Sequence, residues 1–230
     1  MDIAGVSGHT VICGWDEHGE AVVREILCHD RFSRVVVITE RERIPLIDPQ
    51  IHVVQGDFTH QDALNRARIS AARAAIILAD RTGDRSPQDT DARSILAVLA
   101  IESMNPAVHT TAEVLNSDNV FHFRNAGVDE IVQSGAYTGN LLAHVTVNRG
   151  LGGIYEHLFT MEGNRFHLVP APPSLVNQSF LEALNVMSQH HRALLIGLRR
   201  QQETLLTALD QHIQADDELI VLSKRAPKVS

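Results

Sequence analysis

The segment CGWDEHG (13–19) has the residue types of a phosphate-binding loop, because it joins a short apolar strand to a helical pattern. Gly14 and Gly19 occupy the first and third glycine positions of G-x-G-x-x-G, with Trp15 between them, but Asp16 stands where the second glycine belongs. That glycine normally lets the backbone approach a pyrophosphate, whereas a carboxylate obstructs and repels it. The pattern by itself is therefore weak support for a bound dinucleotide.

Acidic residues end the next three predicted strands. Glu40 follows the second strand, at the distance from the glycine loop where a ribose-binding acid is expected. Asp57 and Asp80 follow the third and fourth strands, and the carboxyl ends of parallel strands share the edge where open α/β sheets bind ligands. Each acid alone could equally serve a helix cap or a solvated turn, but together they predict a ligand cleft.

The same carboxylates allow a different kind of ligand. Hard cations bind several oxygen atoms, and Asp16, Glu40, Asp57, Asp80 and Glu113 could surround one. The residues therefore leave open NAD or an adenine nucleotide on one side, and Ca²⁺ or another divalent cation on the other. The 13 histidines add a proton as a third candidate signal, because imidazole titrates near neutral pH.

The elements that would position these residues alternate between strands and helices. Apolar, β-branched runs predict six strands, at 10–13, 35–39, 51–57, 74–80, 108–114 and 129–135. Helical patterns separate them, including an amphipathic helix at 89–105 that Asn105 and Pro106 end. This alternation predicts an α/β fold, a Rossmann-like doubly wound parallel sheet over residues 8–134.

Composition argues against several classes of protein. The net charge of −8 and the pI near 5.9 argue against nucleic-acid binding, which normally requires a basic face. No apolar run approaches the roughly 20 residues of a membrane helix, and the opening segment lacks the pattern of a signal peptide. Cys13 and Cys28 form no CxxC pair, so we expect a reduced, cytoplasmic setting.

Residues 136–160 predict two helical stretches interrupted by glycines at 150, 152 and 153. Apolar side chains recur along them at helical spacing, and these are Leu141, Leu142, Val145, Ile154, Leu158 and Phe159. The stripe could pack on its own domain, or it could contact a partner subunit.

A smaller α/β module follows, with a proline-rich hinge at 169–174. Strand patterns at 166–169, 192–200 and 217–223 accompany a predicted helix at 178–188. A module of this size offers no second domain with the acid, base and substrate clamp that a dehydrogenase needs. With no P-loop, nucleophile elbow or HExxH in the sequence, we predict that the chain is not an enzyme.

Several longer motifs together resemble the RCK domain, the regulator of potassium conductance, also called KTN. They are HTVICGWDEHG, VVQGDFTHQDALNRARISAARAAIILAD, DTDARSILAVLAIESMNP and FRNAGVDEIV, and the tail RALLIGLRR with DQHIQADDELIVLS is similar to the small C-terminal lobe of that family. The resemblance implies a Rossmann-like N-lobe at 8–134, crossover and dimerisation helices at 135–161, and a C-lobe at 162–225.

The resemblance also implies partners. RCK domains form homodimers through their linker helices and assemble into octameric gating rings, so the apolar stripe would be a dimer interface. Ligand binding in the cleft would change the hinge of the dimer and pull on a membrane-embedded potassium-channel pore. The domain would then be cytoplasmic and held at the inner membrane through that pore.

The ligand is less clearly implied. Nucleotide-binding members keep the full glycine pattern, which Asp16 interrupts here. Calcium-gated members carry carboxylates at the end of the fourth strand and at alternate positions of the fifth. Glu113 matches one of these positions, but Leu78 and Leu115 stand at the others, so the calcium site is incomplete unless Asp80 substitutes.

We therefore predict the ligand-sensing gating domain of a prokaryotic potassium channel, with a charged, mobile loop at 81–91 beside the cleft. The alternative is a stand-alone nucleotide-binding regulatory subunit of a Trk-type potassium uptake transporter. A third hypothesis, an NAD-dependent enzyme, has no substrate signal in the sequence.

Overall fold

The computed structural model describes residues 5–29, 32–159, 163–201 and 203–229. It forms two compact units, Met1–Thr146 and Val147–Ser230. This division falls inside the segment predicted as crossover helices, and the predicted boundary between 161 and 162 lies outside the described residues. The predicted domain limits therefore stay predictions.

The first unit contains a six-stranded sheet with the order β3-β2-β1-β4-β5-β6. All its pairs are parallel. The strands are β1 (Thr10–Cys13), β2 (Val35–Thr39), β3 (Ile51–Gln55), β4 (Ala74–Ile77), β5 (His109–Val114) and β6 (Glu130–Gln133). The strand order reverses between β1 and β4, so their carboxyl ends form the crevice where this fold binds ligands. The predicted Rossmann-like sheet is confirmed.

Both faces of the sheet are buried, which explains why its central strands are apolar throughout rather than alternating. Val11 and Cys13 contribute to the core on one face, while Ile12 contributes to a separate core on the opposite face together with Val23. Burial raises the pKa of the Cys13 thiol to about 12, so this cysteine is a core side chain and not a reactive nucleophile.

The helices of this unit follow the strands. They are α1 (Gly19–His29), α2 (Gln61–Arg66), α3 (Pro87–Met104), α4 (Val120–Asn125) and α5 (Ser134–Val147), with short 3₁₀ turns at Ile69–Ala71 and Ser117–Asn119.

The loop predicted at 81–91 is shorter in the structure, because α3 begins at Pro87. The Ser86 hydroxyl accepts a hydrogen bond from the Asp89 backbone N–H, and proline suits the first helical turn, where its missing N–H costs nothing. Asp91, predicted as a loop charge, is fully buried, and it accepts the backbone N–H groups of Leu115 and Asn116, both at 3.0 Å. The sequence did not predict this structural role of Asp91.

The predicted glycine interruptions were only partly right. Gly150 has a φ of +98° and lies between α5 and α6 (Leu151–Phe159), whereas Gly152 and Gly153 lie inside α6. A left-handed φ ends a helix, but glycine in ordinary helical geometry only weakens it.

The second unit contains a four-stranded antiparallel sheet with the order β7-β10-β8-β9, which confirms the predicted small α/β lobe. Its elements are β7 (Arg165–Pro170), a 3₁₀ turn at Pro173–Leu175, α7 (Phe180–His191), β8 (Leu194–Arg200), β9 (Glu203–Leu206) and β10 (Glu218–Ser223). Ser179 and Glu182 form a capping box at the start of α7. Phe180, Met187 and Leu219 are in the core of this unit.

Within the described residues, none of the helices combines the length and the apolar composition needed to cross a bilayer.

A close approach of two chain segments shapes the carboxyl edge of the first sheet. Gly14, directly after β1, has a φ of +87°, and a Cβ atom there would lie 2.8 Å from the Asp80 Cβ and 3.3 Å from the Leu78 carbonyl oxygen. Its N–H donates to the Ile38 carbonyl at 2.9 Å. Only glycine allows both the left-handed backbone and this contact between the segments that follow β1 and β4.

We expect Gly14→Ala to destabilise the first unit by about 2 kcal/mol or more, because it adds left-handed strain to a steric clash. Trp15, the single tryptophan of the chain, lies in this unit, so urea unfolding followed by its fluorescence is the measurement. Gly139→Ala in α5 is the matched control. No atom lies within 4 Å of a Cβ built there, and alanine favours a helix by about 1 kcal/mol. Equal stabilities of the two variants would contradict the packing described for Gly14.

Candidate functional site

The glycine loop is filled by its own tryptophan. Trp15 is 2% exposed, and a Cβ atom at Gly19 would lie 2.8 to 3.0 Å from three atoms of its indole ring. The third glycine of the pattern therefore accommodates an aromatic ring. The Trp15 backbone N–H points to an Asp80 carboxylate oxygen at 3.4 Å, which joins the loop to the segment after β4.

Asp80 shapes that segment. It is 2% exposed, and one of its oxygens accepts the Thr82 backbone N–H at 2.8 Å and also the Thr82 hydroxyl. Because β4 ends at Ile77, Asp80 lies in a turn beyond the strand and not at its last position. The predicted pairing of Asp80 with Glu113 around a metal stays a prediction. The cluster of potential metal ligands found among the described residues does not include Asp80.

That cluster consists of Asp16, His18 and Glu113, whose potential ligand atoms all lie within 4.8 Å of one another. Asp16 accepts the His18 backbone N–H at 2.9 Å, which fixes the two side chains on one turn of the glycine loop. One oxygen of Glu113, near the end of β5, accepts the Ala79 N–H at 3.1 Å, and the other lies 4.0 Å from the His18 Nε2. The loop and β5 thus present two carboxylates and an imidazole to one small volume.

The electrostatics of this cluster favour a positive ligand. Burial raises the pKa of Asp16 most, the hydrogen bond from the His18 backbone N–H opposes this, and the charge of Glu113 raises the pKa further. Glu113 is itself 8% exposed. A cation placed between these carboxylates would offset both the repulsion and the cost of burial.

Sequence reasoning named Asp16 and Glu113 but missed His18. The signal was present, because an Asp-x-His spacing inside a tight loop places two potential ligands on one turn.

Glu40 and Asp57, the acids after β2 and β3, belong to a second group. The Arg93 guanidinium on α3 donates to both Asp57 oxygens at 3.0 and 3.1 Å and to Glu40 at 3.2 Å. The Arg85 guanidinium, in the segment between β4 and α3, donates to the same Glu40 oxygen at 3.0 Å. Burial alone would raise the pKa of Asp57, but hydrogen bonds from Thr59 and the charge and hydrogen bonds of Arg93 together hold it below its ordinary value.

The five acids that could surround one cation therefore fall into three groups in this structure. Arginines neutralise Glu40 and Asp57, hydrogen bonds from the Thr82 turn and the Trp15 N–H satisfy Asp80, and Asp16 and Glu113 remain facing His18. The arginines that produce this division were not identified from the sequence, since they lie 45 and 53 residues from Glu40.

The residues of the predicted dimer interface lie on α5 and α6, and neither helix contains a buried residue. Leu142, Ile154 and Phe159 are 60%, 55% and 74% exposed. Leu141, Val145 and Leu158 are half-buried. These helices present apolar side chains to solvent within the described chain.

Comparison with known proteins gives the following relationships. Residues 10–134 match the sequence model of the family described as TrkA-N domain. The chain is 27% identical over 147 residues to TvoK of Thermoplasma volcanium, named a calcium-gated potassium channel, and this match covers 64% of the chain and 42% of TvoK.

Two solved structures share the fold. The human SLO3 gating ring aligns with a TM-score of 0.66 at 14% identity, covering 94% of this chain and 44% of that one. The GsuK RCK domain aligns with a TM-score of 0.50 at 17% identity, covering 95% of this chain and 44% of that one. The chain thus spans less than half the length of each of these three proteins.

We expect Asp16→Asn to stabilise the metal-free protein by about 0.5 kcal/mol at pH 7, because it removes a partly buried charge that Glu113 also repels but retains the oxygen that accepts the His18 N–H. A raised native pKa means that the wild-type carboxyl favours the native state only when protonated. The gain of the variant should therefore shrink as the pH falls through the native pKa and vanish below the unfolded value of 3.8.

Urea unfolding of both proteins at a series of pH values measures this difference. Asp62→Asn, an exposed acid on α2 paired with Arg66, is the control and should show no gain at neutral pH. A gain of Asp16→Asn that did not change with pH would contradict the electrostatic explanation.

Proposed function

The chain belongs to the TrkA-N domain family, as its resemblance to RCK domains predicted, and we propose that it is the ligand-sensing gating domain of a potassium channel. We further propose that its ligand is a divalent cation held by Asp16, His18 and Glu113. The domain would act in the cytoplasm, attached to a membrane-embedded pore.

The observation that carries the cation proposal is the position of these three side chains. Their ligand atoms come within 4.8 Å of one another at the carboxyl edge of the parallel sheet, and no arginine in the described part of the chain pairs with them as Arg85 does with Glu40. The name of the relative TvoK, a calcium-gated potassium channel, supports the same class of ligand. One imidazole and two carboxylates would bind Mn²⁺ or Zn²⁺ as well as Ca²⁺, with Zn²⁺ expected to bind most tightly.

A nucleotide is a weaker candidate for the glycine loop itself. The Asp16 carboxylate stands at the second glycine position, and the Trp15 ring rests on the third. A pyrophosphate there would meet a like charge and a filled loop. The Trk-type uptake subunit is not favoured as an alternative, because the relative TvoK is named as a channel.

Gating requires that the cation favours one arrangement of the assembly over another, since a ligand shifts an equilibrium only by its difference in affinity between states. Binding at this site would draw the glycine loop toward β5. We propose that the chain forms homodimers through α5 and α6, and octameric rings from these dimers, so that this movement changes how the copies pack. The exposed Leu142, Ile154 and Phe159 are the side chains offered for that contact.

We expect micromolar to millimolar Ca²⁺, Mn²⁺ or Zn²⁺ to change the fluorescence of Trp15 and to raise the unfolding temperature, because Trp15 directly precedes Asp16. Glu113→Gln, which keeps the side-chain oxygen for the Ala79 N–H, should weaken binding at least tenfold. Glu130→Gln, an exposed acid on β6, is the matched control. A cation response that persisted unchanged in Glu113→Gln would refute the site.

We expect Leu142→Glu together with Ile154→Glu to shift the protein toward monomer in sedimentation velocity experiments, because charges would replace apolar contacts between copies. Leu209→Glu, at a 57% exposed leucine outside both helices, should leave association unchanged. A wild-type chain that stays monomeric at all concentrations would disprove the assembly proposal.

A further inference from the structure

Glu40 occupies the position of the ribose-binding acid, but its carboxylate already accepts hydrogen bonds from two arginines. One oxygen accepts hydrogen bonds from Arg85 at 3.0 Å and from Arg93 at 3.2 Å. The ion pair between Arg85 and Glu40 is only partly open to water, since 35% of the Glu40 side chain and about a quarter of the Arg85 side chain are exposed. The charge that would accept ribose hydroxyls is therefore bound by guanidinium groups of the same chain.

The two arginines reach Glu40 from different elements. Arg93 projects from α3, whereas Arg85 lies in the segment between β4 and α3. Because β2 and β4 lie on either side of β1 in the sheet, the Arg85–Glu40 pair joins segments that flank the start of the glycine loop. A nucleotide lying along this edge, with its ribose at Glu40, would have to displace that pair.

The arginines differ in how firmly they are held. Arg93 makes two hydrogen bonds to Asp57, its guanidinium lies 5.2 Å from the centre of the Phe58 ring, and its Nε is buried without a partner. Among the described residues, Arg85 donates to Glu40 and to the Thr82 carbonyl within its own segment, and to no others. Arg85 is thus the arginine that a ligand could displace from Glu40, while Arg93 holds Glu40 and Asp57 in place.

We propose that Arg85 determines ligand specificity by occupying Glu40, so that the cleft admits a cation but rejects ribose-containing ligands such as adenine nucleotides. The pair shares no residue with the Asp16, His18 and Glu113 cluster, and a small ion can reach that cluster without breaking it. The exclusion of ribose does not depend on the proposed cation site, and only the admission of a cation rests on the proposed function. Removing the Arg85 guanidinium frees one interaction of Glu40 and opens the adenosine half of the cleft.

The test measures AMP binding to the wild-type chain and to Arg85→Ala by calorimetry, with Trp15 fluorescence as a second readout. We expect the affinity for AMP to rise about fivefold in the variant, because the ribose hydroxyls no longer compete with a partly exposed ion pair. Arg85→Gln serves if the alanine variant is unstable. Arg24→Ala, which removes an exposed arginine paired with Glu20 on α1, is the matched control and should bind AMP like the wild type.

A second substitution distinguishes the release of Glu40 from a general change of charge. Adding Glu40→Gln to Arg85→Ala should abolish the gain, because the ribose acceptor is then lost as well. Unchanged or undetectable AMP binding in Arg85→Ala would overturn the proposal, because Arg85 would then not be what excludes ribose. Weaker AMP binding would also overturn it, because Arg85 would then be a contact of the ligand. A parallel Ca²⁺ and Mn²⁺ titration of the same proteins tests the cation site separately, and its failure would leave the AMP result intact.

Discussion

The carboxyl edge of the parallel sheet depends on one close contact, between the turn that follows β1 and the segment that follows β4. Gly14 has no side chain to prevent the Asp80 Cβ from coming within 2.8 Å of where its own Cβ would stand. This contact lets Asp80 approach the Trp15 N–H and order the Thr82 turn. The positions of Trp15, Asp16 and Arg85 follow from it, so the glycine is required by packing whether or not a phosphate ever binds there.

Charge is distributed unevenly along this edge. At the β2 and β3 side, arginines pair with Glu40 and Asp57, and the hydrogen bonds of Thr59 together with Arg93 lower the pKa of Asp57 despite its burial. At the β1 and β5 side, burial raises the pKa of Asp16, and the charge of Glu113 adds to this increase. Burial acts on both sides, so the different outcomes come from the partners that tertiary structure supplies. Arginines thus pair with the acids at one end of this edge, whereas Asp16 and Glu113 face His18 at the other.

The family relationship covers the first unit, and the likeness in fold extends to the second. A TrkA-N domain is found over 10–134, and the resemblance of the whole chain to a gating ring extends to the second unit. The helices α5 and α6 each carry exposed apolar side chains, which are costly for an isolated monomer. In the proposed function these side chains mediate the contact between copies of the chain.

Periodicity in the sequence was sufficient to determine the Rossmann-like sheet, because strands buried on both faces must be apolar throughout and the helices between them must alternate with them. It also placed Glu40, Asp57 and Asp80 after their strands, since strand ends are local features. Which carboxylate meets which partner was decided only by tertiary structure. Arg85 and Arg93 reach Glu40, and His18 faces Glu113, across sequence separations of 45, 53 and 95 residues, and no local pattern encodes such pairings. The sequence therefore determined where the charges lie along the edge, and folding determined which of them remain available to a ligand.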